Sequence, residues 1–313
     1  MEITRRELLH KIGTGGAAAA VGTAVVGGPL TAIAHAEEER QAPTDPVGML
    51  YDATLCIGCK TCVVACTDAN GLTRDTRRDE LHQAPTDTND QTKTIIRLYK
   101  PVDGSGSSYV KSQCMHCADP ACMAACMFGG LKKDKTTGVV WWNGNYCVGC
   151  RYCQVACPFN VPKFQWMGFN PKIVKCELCK ERLAKGRQPA CTEVCPRKAV
   201  IFGKREELLL QAKQRIAANP GKYFEDRVYG ETEGGGTQVL YLSHVAFDKI
   251  ALPALDQESI PKKYLKWQKR LYSYLILPAG LYAVLAGTIR KNWKHHEEHL
   301  AEEEKKTGLR AQL

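Results

Sequence analysis

Cys56-Ile57-Gly58-Cys59-Lys60-Thr61-Cys62-Val63-Val64-Ala65-Cys66 and Cys147-Val148-Gly149-Cys150-Arg151-Tyr152-Cys153-Gln154-Val155-Ala156-Cys157 share one spacing, CxxCxxCxxxC. Two further groups, Cys114, Cys117, Cys122, Cys126 and Cys176, Cys179, Cys191, Cys195, share another: CxxC, a longer gap, then CxxxC. Together they use all 16 cysteines of the 313-residue chain. Three thiolates on one tight loop can grip three corners of a [4Fe–4S] cube, while a fourth, three residues on, is turned toward a different cube. Sixteen thiolates match four such clusters with none left over. The two forms alternate along the chain, so each group of the first kind must find one of the second to complete two cubes.

Other uses of cysteine fit less well. Structural zinc uses CxxC pairs, but not a third Cys at the same interval. Disulfides are common in exported chains, yet consecutive CxxCxxC thiols make poor partners and a chain of this size needs no staples. No CxxCH occurs, because Cys59 precedes Lys60 and Cys117 precedes Ala118, so covalent haem has no support. His116 lies between two cysteines and is expected to pack there rather than ligate.

The repeat extends upstream. Leu50-Tyr51-Asp52 stands at the same offset before the first group as Trp141-Trp142-Asn143 before the third. Each reads as a short strand closed by an Asx turn. Gly58 and Gly149 either let the loop backbone approach a cluster or serve a turn or packing contact.

These motifs resemble the four-cluster electron-transfer subunits of membrane-bound bacterial oxidoreductases. That resemblance implies an α+β fold with two nested ferredoxin-like [4Fe–4S] modules, a C-terminal extension and a single transmembrane helix. It also implies the ligand sets, which spacing alone leaves open between nested and sequential pairing. One cube takes Cys56, Cys59, Cys62 and Cys195, and its neighbour Cys66, Cys176, Cys179 and Cys191. A third takes Cys114, Cys117, Cys122 and Cys157, and a fourth Cys126, Cys147, Cys150 and Cys153. One departure stands out. Pro follows the last cysteine at Cys157-Pro158 and Cys195-Pro196, but Thr67 follows Cys66 and Met127 follows Cys126, so loop geometry there is open.

The two ends suggest a location. Thr4-Arg5-Arg6-Glu7-Leu8-Leu9 precedes a weakly apolar Gly/Ala stretch and Ala34-His35-Ala36, a pattern of twin-arginine signal peptides over 1–36. That route exports folded proteins, as clusters installed in a reducing cytoplasm require. Leu271 to Ile289 carries no charge over 19 residues, about 28 Å as a helix, and is expected to span the bilayer, a buried soluble helix being the alternative. The domains expected are signal 1–36, linker 37–48, cluster domain 49–203, extension 204–270, span 271–289 and a charged cytoplasmic tail 290–313. Strands are expected over Ile95–Tyr99 and Val139–Trp142, and a helix over Lys204–Ala218 ending at Asn219-Pro220-Gly221. The run Gly234-Gly235-Gly236 reads as a turn into a strand, since it lacks the helix and Lys of a phosphate loop. His295, His296 and His299 read as a solvated tail.

The formal net charge of +10 invites a nucleic-acid reading. Each oxidised cube with four thiolates carries a net charge near −2, so four contribute about −8 and the excess Lys and Arg balance the cofactors. Lys60, Arg151, Lys175 and Lys180, beside the loops, suit that role. No nucleophile–base pair, nicotinamide fingerprint or flavin motif is present, so the chain itself has no expected catalytic site.

With its own export signal and anchor, the chain looks most like the iron–sulfur subunit of hydrogenase-2-type nickel–iron hydrogenases. This implies electrons passing from a hydrogenase small subunit to a quinone-reactive integral-membrane subunit, at the periplasmic face of the inner membrane, with no nucleic-acid partner. The iron–sulfur subunit of a membrane-bound formate dehydrogenase is the alternative. Wires of dimethyl sulfoxide or polysulfide reductases, and a cluster-based sensor, stand further off.

Overall fold

The computed structural model describes residues 43–73, 87–101, 107–166 and 172–307. The expected signal and half of the linker lie outside the described residues.

Strand β1 (Val47–Asp52) forms the centre of a three-stranded sheet. It runs antiparallel to β8 (Val200–Lys204), with Tyr51 opposite Val200, and parallel to β9 (Val239–Leu242), with Met49 opposite Val239. The side-chain period of two divides the strands between two environments. Leu50, Leu240 and Leu242 pack with Leu208 and Ala212 of helix α6 (Arg205–Ala218), together with Tyr223 and Val228. The alternate residues Met49, Tyr51, Val239 and Tyr241 join Cys62, Cys191, Ile96 and Val110 on the opposite side. The sheet thus has a helix face and a cysteine face. Gly48 keeps the strands close, since a Cβ there would lie 2.1 Å from the Gln238 carbonyl oxygen.

Three antiparallel hairpins complete the strands. β2 (Thr94–Tyr99) pairs with β3 (Ser108–Gln113), β4 (Leu131–Lys133) with β5 (Val140–Trp142), and β6 (Lys163–Phe164) with β7 (Ile173–Val174). The expected strands and the helix before Asn219 are therefore present. Five short helices carry the cysteine groups: α1 (Thr61–Ala69), α2 (Ala121–Ala124), α3 (Tyr152–Ala156), α4 (Lys180–Leu183) and α5 (Ala190–Glu193). The glycine run forms a tight turn over Glu233–Gly235 ahead of β9. Glu233 is buried there and accepts from the Gly230 N–H at 2.7 Å.

Helix α7 (Ile260–Thr307) is 48 residues long, and residues Lys262–Leu313 form a unit separate from Met1–Pro261. The expectation of a transmembrane helix over 271–289 is overturned. Among the described residues no helix is long and apolar enough to cross a membrane. The expectation rested on the absence of charge, which removes a penalty without supplying a driving force. Three tyrosines, Ser273, Thr288, Pro278 and two glycines interrupt that stretch. The fold class is corrected accordingly: a mixed helix and sheet architecture without the spanning helix.

Candidate cluster-binding site

The two CxxCxxC loops adopt the same backbone. Gly58 and Lys60 have φ of 71° and 58°, and Gly149 and Arg151 have 72° and 65°. Lys60 and Arg151 are the residues from which α1 and α3 start, both left-handed. For non-glycine residues that conformation costs of order 1 kcal/mol, so surrounding structure must hold it. The loops of the second kind do likewise at His116 (φ 48°) and at Leu178 and Cys179 (φ 48° and 51°). A Cβ on Gly58 would sit 2.2 Å from the Tyr109 ring, and one on Gly149 would sit 3.3 Å from Phe164. Turn geometry and packing account for both glycines.

Both lead-ins end as expected. Asp52 Oδ1 accepts from the Thr54 N–H at 3.0 Å, and Asn143 Oδ1 from the Asn145 N–H at 3.1 Å, an Asx turn in each case. The residue after the last cysteine then sets helix length. Pro158 favours extended backbone at Cys157 (ψ 115°), and α3 stops at Ala156. With Thr67 in that place, α1 runs on to Ala69; Thr67 Oγ1 donates to the Val63 carbonyl and Asn70 Nδ2 to that of Cys66.

All the cysteines are free thiols. Helix α1 packs against α5, and α2 against α3, so group one meets group four and group two meets group three. Cys56, Cys59, Cys62 and Cys195 line one cavity. Burial pushes the Cys62 thiol up to about 12, with Cys191, Cys56 and Cys195 adding to the shift. Burial likewise raises Cys66 to about 12, with Cys191 and Cys179 nearby, and raises Cys176, with Cys66 and Cys191 nearby. Cys117 is raised by burial and then by Cys114, Cys122 and Cys157. Cys153 is raised to about 11 by burial and then by Cys126, Cys147 and Cys150.

Several donors reach the sulfurs. The Gly130 N–H donates to Cys126 Sγ at 3.1 Å, the Leu178 N–H to Cys176 Sγ at 3.4 Å and Thr61 Oγ1 to Cys59 Sγ at 3.4 Å. His116 is fully buried and accepts at Nδ1 from the Val140 N–H at 3.0 Å. Its Nε2 is buried without a hydrogen-bond partner among the described residues. Burial, then Lys175 and Lys133, hold its pKa well below the ordinary value, so it is a neutral ring with Nε2 as its N–H donor. The expectation that it packs is met.

Two lysines are buried to 1% exposure. Lys175 Nζ donates to the carbonyls of Val140 (2.5 Å) and Cys176 (3.0 Å). Lys111, on β3, donates to Thr94 Oγ1 at 2.5 Å and to Gln113 Oε1. Sequence reasoning named Lys175 but missed Lys111. The available signal was a lysine following an apolar strand residue ahead of a CxxC pair, in Val110-Lys111 as in Val174-Lys175. Lys60, Arg151 and Lys180 lie nearer the surface; Arg151 stacks 3.7 Å from the Trp166 centroid and Lys180 3.5 Å from that of Trp141.

These residues fit iron–sulfur clusters. Among the described residues no three His, Cys, Asp or Glu side chains close on one point as a single metal ion requires. Four thiols around a cavity, sulfur-directed N–H groups, an orphaned histidine N–H and buried cations suit a larger anionic body.

Residues 106–205 match the family model of the 4Fe-4S dicluster domain. The chain is 40% identical over 309 residues to the hydrogenase-2 operon protein HybA of Escherichia coli O157:H7, covering 88% of this chain and 94% of that protein. It is 33% identical over 253 residues to the nitrate-inducible formate dehydrogenase iron-sulfur subunit of Escherichia coli K12, covering 78% of this chain and 83% of that subunit. Identity to the formate dehydrogenase-O iron-sulfur subunit of the same strain is 31%, again over 78% of this chain.

Proposed function

The chain belongs to the family of the hydrogenase-2 operon protein HybA, and from that premise we propose that it carries electrons from a nickel–iron hydrogenase small subunit to a quinone-reactive membrane subunit. One observation carries the reading: the packing of α1 on α5 and of α2 on α3 brings the first cysteine group to the fourth and the second to the third, all as free thiols.

The proposed ligand sets are Cys56, Cys59, Cys62, Cys195; Cys66, Cys176, Cys179, Cys191; Cys114, Cys117, Cys122, Cys157; and Cys126, Cys147, Cys150, Cys153. When bound, each of the four [4Fe–4S] clusters supplies a one-electron couple. The chain's own residues do the rest. Burial holds apo thiols protonated, so loading the sites releases protons. Cys59 and Cys150 are exposed, which leaves two of the proposed sets reachable by partner proteins. Cys62 and Cys153, three residues on, are buried and keep water from the inner side. The twin-arginine motif supports export to the periplasmic face.

Deletion of the gene tests the assignment. Membranes should lose hydrogen-driven quinone reduction while the hydrogenase still reduces an artificial dye. Loss with formate as donor instead would transfer the chain to a formate dehydrogenase. Retention of both would end the proposal. A Cys195→Ser variant should lose about a quarter of the iron, as four equal clusters require; loss beginning at Cys114–Cys157 would end the nested ligand sets.

A further inference from the structure

The sheet's cysteine face holds a cation that no carboxylate pairs with among the described residues. Lys111 lies at 1% exposure in β3, and its Nζ is bonded to two neutral oxygens, those of Thr94 and Gln113. An ammonium has three N–H donors, so one is left over. Lys111 lines the same cavity as Cys56, Cys59, Cys62 and Cys195. Its field also reaches the thiols of Cys62, Cys66, Cys176 and Cys191. These thiols belong to the two sets held by groups one and four. Lys175 is placed differently. It acts on Cys114, Cys122 and Cys176, and Glu177 lies close enough to offset its field. Glu177 in turn pairs with Lys93 at 2.9 Å.

We propose that Lys111 is the residue that sets the reduction potentials of the Cys56 and Cys66 clusters above those of the Cys114 and Cys126 clusters. The inference rests on the cluster reading given above. Reduction adds one electron, and so one negative charge, to a cluster, and oxidises the donor protein's carrier by one. Lys111 keeps its proton throughout. A fixed positive charge in a medium of low dielectric favours the more negative state, and does so most at short range. An uncompensated buried ammonium is costly, whereas one facing two anionic clusters is not.

Redox titration of the full cluster-loaded chain, followed by electron paramagnetic resonance, tests this. Lys111→Met should shift the reduced-to-oxidised ratio of two clusters at least tenfold toward oxidised, about 59 mV for a one-electron couple. The other two should stay in place. Gln113→Glu keeps the lysine and sets a carboxylate against its Nζ, so a smaller downward shift of the same two clusters is expected. Lys111→Arg should restore the original potentials in part. Potentials unmoved in a fully loaded Lys111→Met chain, or all four moved equally, would overturn the inference. If Lys111→Met fails to hold its clusters, Gln113→Glu decides, and unmoved potentials there overturn it. A wild-type chain that binds no iron would instead sink the cluster reading itself.

Discussion

The first and third cysteine groups begin alike and end differently. Their loops agree in backbone to within a few degrees at Gly58 and Gly149, and both expose the second cysteine while burying the third. Their surroundings diverge. The first loop stands against the cysteine face of a three-stranded sheet, with Tyr109 over Gly58. The third is backed by two short hairpins and leaves Val148, Tyr152 and Val155 more than half exposed, Val155 at 85%. A thiolate loop is therefore a portable unit whose conformation is local, while its burial and its field come from whatever is packed behind it.

The largest contrast should appear at the two Asx positions. Asp52 is fully buried and accepts from Arg215 Nη1 and the Tyr223 hydroxyl, both at 3.1 Å, besides the Thr54 N–H. Asp52→Ala should cost about 3–5 kcal/mol, since it leaves a partly buried guanidinium without its partner. Asn143→Ala should cost about 1 kcal/mol, one turn bond. Denaturant unfolding of the loaded chain measures both, and equal losses would break the distinction.

Helix length comes next. Thr67→Pro, placed inside α1, should cost about 3 kcal/mol, whereas Pro158→Thr at the end of α3 should change stability by less than about 1 kcal/mol. A similar melting temperature for the two variants would show that the trailing residue does not set where these helices stop.

Glycine replacement sharpens the difference in backing. Gly58→Ala and Gly149→Ala both force a left-handed alanine, about 1–2 kcal/mol. Only Gly58→Ala also drives a methyl into a ring, so it should lose at least about 1 kcal/mol more. Iron content and thermal unfolding, read together, would reveal any reversal of that order.

The smallest effect belongs to the turn between β4 and β5. The Asp134 carboxylate accepts from the Thr137 N–H at 2.6 Å, from Thr137 Oγ1 and from the Thr136 N–H. The Thr137 N–H is foremost in holding its pKa below the ordinary value; slight burial opposes this, and the Thr137 hydroxyl and Thr136 N–H assist. A depressed folded pKa contributes stability above the unfolded value near 3.9 and loses it as pH falls through the folded one. Stability should thus stay level for this group between neutral pH and about 5, then fall by under about 1 kcal/mol below 4, since the site is largely solvent-exposed. Asp134→Ala should lack that final step in a pH series of unfolding curves.

Much of the site was legible because cysteine spacing is a local code. The four groups, the repeated lead-ins, the strands at Ile95–Tyr99 and Val139–Trp142 and the helix before Asn219 follow from nearest-neighbour geometry. Lys111 was not legible. A lysine in a strand ordinarily faces water, and only the pairing of Ile96 with Lys111 in the β2–β3 hairpin, set beside the sheet, turns it inward. The stretch 271–289 has a related limit: it lacks charge without being apolar enough to cross a membrane.

The central position of β1 has a consequence for the order of biosynthesis. This strand precedes the first cysteine, yet both its neighbours come late: β8 follows Cys195 at once, and β9 follows at Val239. The Cys114–Cys157 stretch can close on itself while the chain is still being made. The sheet must wait until translation has passed Leu242. The last strand made therefore completes the sheet that the first strand begins, so a product truncated before Val239 would leave one edge of β1 without its partner.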